Sequence, residues 1–228
     1  MEEFFYNQAL ISVLQIIAID LILGGDNAIV IALACKNLSE KQRKLGVFYG
    51  ALGAIISRII MVSFAAAFLS FGGLKLIGGI LLIWIGVKLI IDNTKTHELN
   101  VDQHDNLYNA IKTIVVADLI MSLDNSLGIA AVADGNISLV IFGVLFSIPI
   151  IIWGSNFILK CLDKFPAIIL LGGFLLGWIG GDMLQTDIYV IKNNLIPANL
   201  HHWLIPFICA IITIFASLPS GGAKLLKR

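Results

Sequence analysis

Seven long apolar runs do more than any other feature to limit what this chain can become. They cover residues 8–34, 46–70, 74–91, 111–133, 138–159, 166–184 and 203–218. Crossing a bilayer as a helix takes about 20 consecutive apolar residues, so the expected fold is an all-α membrane protein with seven transmembrane helices. Composition agrees: 58% of the residues are hydrophobic and 13% charged, against about 25% charged in a soluble domain. The connections are short apart from residues 92–109 and 185–202, so residues 1–228 read as one transmembrane domain with no soluble domain. The formal net charge of zero excludes a basic nucleic-acid surface. The first residues, MEEFFYNQ, carry two acids and no base. They lack the positive start of a signal peptide, so the first run should stay as a helix. Cys35, Cys161 and Cys209 form no paired framework, and neither a disulfide nor a thiolate metal site is expected.

Lys and Arg set the orientation. Eleven of the 15 bases (Lys36, Lys41, Arg43, Lys44, Lys95, Lys112, Lys160, Lys164, Lys224, Lys227 and Arg228) fall after segments one, three and five or in the C-terminal tail. Only Lys75 and Lys192 fall on the opposite side, while Arg58 and Lys88 lie within segments. The expected arrangement has the N-terminus outside and the C-terminus in the cytoplasm.

The chain repeats itself. GGILLIWIGVK at 78–88 returns as GGFLLGWIGGD at 172–182, with Gly78, Gly79, Leu81, Leu82, Trp84, Ile85 and Gly86 identical 94 positions later. Segments one to three (about 8–92) and four to six (about 111–186) therefore read as two units. Three crossings per unit turn the second upside down, giving inverted repeats with an ion site expected where the halves meet near the midplane. Segment seven (about 203–218) has no counterpart and reads as an extra, peripheral helix.

Within the first run of each unit stands a polar motif, DLILGGDN at 20–27 and DLIMSLDN at 118–125. Asp20 matches Asp118, Asp26 matches Asp124 and Asn27 matches Asn125, each 98 residues on. A charged residue at a membrane helix centre costs about 2.5–3.5 kcal/mol on insertion scales, and such residues usually mark ion or substrate paths. Interhelical hydrogen bonding alone would account for one buried Asn; four acids in two symmetric copies ask for more. On a straight helix Asp26 lies about 120° around the wheel from Asp20, so the three polar groups would not face one ion. Gly24-Gly25 between the carboxylates predicts a break in segment one, with freed carbonyls as further ligands. Ser122-Leu123 occupies that place in the second copy.

Asp20, Asp26, Asn27, Asp118, Asp124 and Asn125 form an oxygen-only donor set suited to a hard divalent cation, Mn²⁺, Mg²⁺ or Ca²⁺. No His or Cys accompanies it, which argues against a site selective for zinc or copper. Arg58, near the middle of segment two, reads as a fixed counter-ion to the acids; protonation of one Asp is the other way to offset the surplus charge. Lys88 and Asp182 read as snorkelling residues. The paired glycines at 78–79 and 172–173 read as close-packing positions, and Trp84 and Trp178 as packing residues. Ser147 and Pro149 mark a kink or a packing site. The stretch 97–106 reads as a solvated polar loop, and His201-His202 beside Trp203 as an interfacial anchor.

On these two motif copies and the twin three-helix units, the chain resembles the TerC family of integral membrane proteins, in particular its compact YjbE-type branch. Members were first associated with tellurite resistance, and several look like manganese exporters. The resemblance implies Mn²⁺ export across a bacterial inner membrane, with no resident cofactor and with the metal as transported substrate. The departure from symmetry is Ser122-Leu123 where the first copy has Gly-Gly. Without an ATP-binding segment, the driving force falls to an ion gradient, the membrane potential or a protein partner. The alternative is a non-transporting membrane factor that supports tellurite resistance or the metal loading of exported proteins. An enzyme is not expected: an intramembrane aspartyl protease needs a GxGD-type signature, and Leu23 stands where its first Gly should be.

Overall fold

A computed structural model describes residues 11–219 apart from 12, 19, 21–24, 65–71, 95–102, 134–135 and 197–201. The described residues are mostly helical and include no strand. The helices are α1 (Gly25–Cys35), α2 (Glu40–Ser63), α3 (Leu74–Thr94), α4 (Gln103–Ala133), α5 (Ile137–Lys164), α6 (Ile168–Gln185), α7 (Ile188–Lys192) and α8 (Leu204–Ser217). Residues 13–18, ahead of α1, are helical as well. Among the described residues four helices are long and apolar enough to cross a bilayer: α2, α3 as far as Asn93, α5 and α6. Asp26–Cys35 and Leu204–Ser217 are shorter apolar helices. Two helices start earlier than the apolar runs, α2 at Glu40 and α4 at Gln103. Hydrophobicity marks only the part of a helix that sits in hydrocarbon, and backbone bonding continues past it into the interface. Part of the polar stretch 97–106 is therefore helix, and the long connection 185–202 contains the short helix α7.

The helices gather into two bodies. In one, α2 packs along α4, α1 packs along α5, and these pairs meet through α2 with α5 and α1 with α4. In the other, α3, α6 and α8 pack together. The second body is knit by backbone approach. A Cβ added at Gly79 would stand 2.5 Å from the Gly180 carbonyl oxygen, and one added at Gly180 would stand 2.7 Å from that of Gly79. The same two helices meet again where Gly86 faces Gly173, an added Cβ at Gly86 lying 3.3 Å from the Gly173 carbonyl. α8 is less peripheral than its lack of a counterpart predicts. Gly177 and Gly181 cut a groove in α6 in which Cβ atoms would strike the Cα atoms of Ala210 (2.7 Å) and Pro206 (2.6 Å) on α8. The matching α3 positions are Ile83 and Val87, which fill that groove, so α8 docks chiefly on one of two otherwise similar helices.

Asp187 locks the end of the molecule where α6 finishes and α3 begins. Its carboxylate caps α7 by accepting from the Tyr189 amide at 2.7 Å, and it also takes the Gly73 and Leu76 amides at 2.9 and 3.2 Å. Gly73, with φ +93°, adopts the left-handed backbone that lets the chain turn into α3. Burial pushes the Asp187 carboxyl up, but the amides of Gly73, Tyr189, Leu76 and Val190 outweigh it and hold the group below the ordinary carboxylate range. At the other end, Arg43 pairs with Asp163 at 3.1 Å and donates to the Lys36 carbonyl at 2.6 Å. Asn37 donates to the Asp92 carbonyl at 3.0 Å. The turn between α1 and α2 is thus tied to the ends of α3 and α5.

Candidate functional site

Asp20 and Asp118, the leading acids of the two motif copies, meet across the bundle of α1, α2, α4 and α5. Between them lies Arg58, only 2% exposed, while Asp20 and Asp118 are 1% and 3% exposed. One guanidinium nitrogen pairs with Asp20 Oδ1 and the other donates to Asp118 Oδ1 at 2.7 Å. The remaining oxygens are engaged by serines. Ser147 on α5 donates to Asp20 Oδ2, and Ser57 on α2 donates to Asp118 Oδ2 at 3.1 Å. Arg58 Nε also donates to Ser122 Oγ at 3.4 Å, and that hydroxyl donates to Asp118 Oδ2 at 3.2 Å. Two carboxylates and one guanidinium leave this cluster one negative charge in excess. In a low-dielectric interior such charges persist only when paired and hydrogen-bonded.

The two serines are matched, as the acids are. Gly53 and Ser57 on α2 recur 90 residues later as Gly143 and Ser147 on α5. Each serine reaches the aspartate of the other half of the chain. Arg58 has no such mate, since Ile148 holds the corresponding place, and the single guanidinium serves both acids. Sequence reasoning missed Ser57 and Ser122 and read Ser147, with Pro149, as a kink or a packing site. The G-x-x-x-S repeat was the available signal. α5 runs as helix through Pro149.

The second acid and the Asn of the first copy sit differently. Asp26 and Asn27 occupy the first turn of α1. Asp26 Oδ1 and both polar atoms of the Asn27 carboxamide are buried without a hydrogen-bond partner among the described residues. Such groups are rare, because an unmet buried polar atom costs about 1–3 kcal/mol. In the second copy Asn125 is partly buried and the side chain of Asp124 lies outside the described residues. The break expected at Gly24-Gly25 falls on residues 21–24, also outside them, and the described helix begins at Gly25. Among the described residues no three His, Cys, Asp or Glu side chains converge as a metal cage. Among the described residues Asp20 and Asp118 are joined through Arg58, while Asp26 and Asn27 carry buried polar atoms with no partner, and Asp26 lies close enough to Arg58 and Asp118 to feel both charges. The flanking residues have simpler settings. Lys88 stacks over Trp84, 5.3 Å from the ring centroid, and Asp182 accepts from Gln185 at 2.9 Å.

Residues 5–222 match the family model described as the integral membrane protein TerC family. The chain is 39% identical over 213 residues to the uncharacterized membrane protein YjbE of Bacillus subtilis, covering 92% of this chain and 94% of that one. It is 25% identical over 237 residues to the uncharacterized membrane protein YkoY of the same organism, covering 92% and 72%. No solved structure matches. With the family model spanning nearly all of a helical, apolar chain, and with YjbE aligned along almost the whole of both sequences, the protein belongs to the TerC family of integral membrane proteins.

Proposed function

We propose that this protein carries a hard divalent cation, Mn²⁺ by resemblance to its family, from the cytoplasm across a bacterial plasma membrane. The observation that carries the reading is the pair of buried oxygens, Asp26 Oδ1 and Asn27 Oδ1, left without a hydrogen-bond partner among the described residues. Oxygen donors without soft neighbours select hard cations over zinc or copper. The cargo would be held by Asp26 and Asn27 together with their motif mates Asp124 and Asn125. Export rather than uptake, and manganese rather than calcium or magnesium, come from the resemblance alone.

Alternating access through inverted repeats is the mechanism we favour. It is supported by contacts that come in mates: Ser147 on Asp20 with Ser57 on Asp118, and Gly79 on Gly180 with Gly173 on Gly86. In this arrangement α1, with the helical residues before it, α4 and α8 complete seven crossings with α2, α3, α5 and α6. The N-terminus lies outside and the C-terminus inside. Energy would come from an ion gradient, the membrane potential or a partner. The test is Mn²⁺ flux in liposomes containing the purified protein, beside an Asp26→Asn control. The expected result is flux in the wild type and at least about tenfold less in the variant, the equivalent of 1.4 kcal/mol or more. Absence of flux from intact wild-type protein sinks the reading, and competition by Ca²⁺ and Mg²⁺ measures selectivity.

A further inference from the structure

In each motif copy both oxygens of the leading acid already accept hydrogen bonds. Asp20 accepts from Arg58 on one oxygen and Ser147 on the other. Asp118 accepts from Arg58 on one and from both Ser57 and Ser122 on the other. A dication approaching either carboxylate would also face the Arg58 charge at contact distance, in a medium that screens poorly. These contacts draw on α2 through Ser57 and Arg58, on α4 through Asp118 and Ser122, on α5 through Ser147, and on Asp20, which precedes α1 in the chain. Among the described residues two side-chain hydrogen bonds cross to the other body near the end of α3, Asn93 donating to the Leu33 carbonyl at 3.2 Å and Asn37 to the Asp92 carbonyl at 3.0 Å. Elsewhere along the seam the contacts include side-chain ends, such as Gly172 of α6 facing Leu33 and Ile29 of α1, and Gly78 of α3 facing Ile120 and Leu123 of α4.

We infer that the motif divides its labour: Asp20 and Asp118 are not metal ligands, but form with Arg58, Ser57, Ser122 and Ser147 a polar knot that makes α1, α2, α4 and α5 one rigid body. This deepens the transport reading and rests on it. The cation is left to Asp26, Asn27 and their mates, and movement is left to the seam between the knotted bundle and the α3–α6–α8 body. Opening the knot would leave a buried charge unpaired, whereas sliding along the seam moves apolar side-chain ends and breaks only neutral hydrogen bonds at the end of α3. The six knot residues are positioning residues.

The full chain in detergent tests this by Mn²⁺ binding, read from the loss of the free-ion electron paramagnetic resonance signal. Asp20→Asn and Asp118→Asn are mild variants, since each leaves Arg58 matched with one remaining carboxylate. Both are expected to bind Mn²⁺ within about threefold of the wild type, while Asp26→Asn weakens binding by about tenfold or more. A second measurement reads rigidity. Arg58→Gln should speed amide exchange by about fivefold or more in α1, α2, α4 and α5 together, and leave α3, α6 and α8 unchanged. Ser147→Ala gives the same pattern at smaller amplitude, should the Arg58 variant not accumulate. Tenfold weaker binding in a folded Asp20→Asn or Asp118→Asn protein overturns the division, as does faster exchange confined to α2. Failure of the wild type itself to bind Mn²⁺ overturns the transport reading and the ligand half of this inference with it.

Discussion

At the scale of the residue, the chemistry rests on which buried polar atoms are satisfied. Arg58 is matched on both sides, so removing it leaves two carboxylates facing each other without a cation. Replacement by an apolar residue, Arg58→Leu, is expected to cost about 3–5 kcal/mol, the usual penalty for stranding a buried charge. It should appear as a loss of folded protein in mild detergent; an unchanged yield and unfolding midpoint would remove its counter-ion role. Ser57→Ala and Ser147→Ala each delete one hydrogen bond to a charged group, a loss of about 1.5–3 kcal/mol. Ser147→Ala should cost the more, because it leaves Asp20 Oδ2 without its hydroxyl donor, whereas Ser57→Ala leaves Asp118 Oδ2 the Ser122 hydroxyl; a neutral result for Ser147→Ala in thermal unfolding would contradict the contact. The acids themselves were legible in the sequence, since charge inside an apolar run is conspicuous. Their partners were not: a serine in a membrane helix is common, and only the fold shows that Ser57 and Ser147 reach opposite aspartates.

At the scale of the element, glycine decides how closely helices approach. A methyl at Gly180 would press on the Gly79 carbonyl, which is backbone and cannot rotate away. Gly180→Ala is therefore expected to cost about 1–3 kcal/mol through overpacking. At Gly154 an added Cβ meets only Ala28, at 3.8 Å, so Gly154→Ala should be neutral or gain up to about 1 kcal/mol from helix propensity. Thermal unfolding of the two variants side by side checks this; equal behaviour would show that the α3–α6 approach is not as tight as described. Asp187 makes a pH prediction. Its carboxyl is held below the ordinary range, so the folded state binds fewer protons than the unfolded one at low pH. Its stabilisation is complete above the unfolded value and is lost as pH falls through the lower folded value. Asp187→Ala should cost about 0.5–2 kcal/mol, as for other helix caps, near neutral pH. The gap from wild type should close in acid, and a gap that widens there contradicts the capping role.

At the scale of the whole molecule, the arrangement is a knotted bundle bearing the motifs beside a glycine-knit body. The excess of Lys and Arg on one side predicts that a C-terminal epitope is protected from protease added to intact cells and is cut only after lysis. Cutting in intact cells would invert the orientation and with it the proposed direction of export. The stretches expected as loops show where patterning stops being informative. Water and the interface tolerate helix as readily as coil, so the hydropathy of residues 97–106 carried no signal that α4 begins at Gln103. α8 shows the same limit from the other side. Having no repeat mate, it read as peripheral, yet Gly177 and Gly181 give it a groove that Ile83 and Val87 close on the matching helix.

By itself, the sequence determined that the chain is helical and membrane-embedded, that two of its stretches recur at offsets of 98 and 94 residues, and that Asp-Asn motifs lie within apolar runs. These follow from hydrophobic run length, from self-similarity and from the cost of burying charge, none of which needs a partner residue to be known. Only the tertiary structure decided which polar groups meet. It set two engaged acids, Asp20 and Asp118, apart from the open Asp26–Asn27 pair, because hydrogen bonding and ion pairing depend on distances between helices, and the spacing within each helix does not set them.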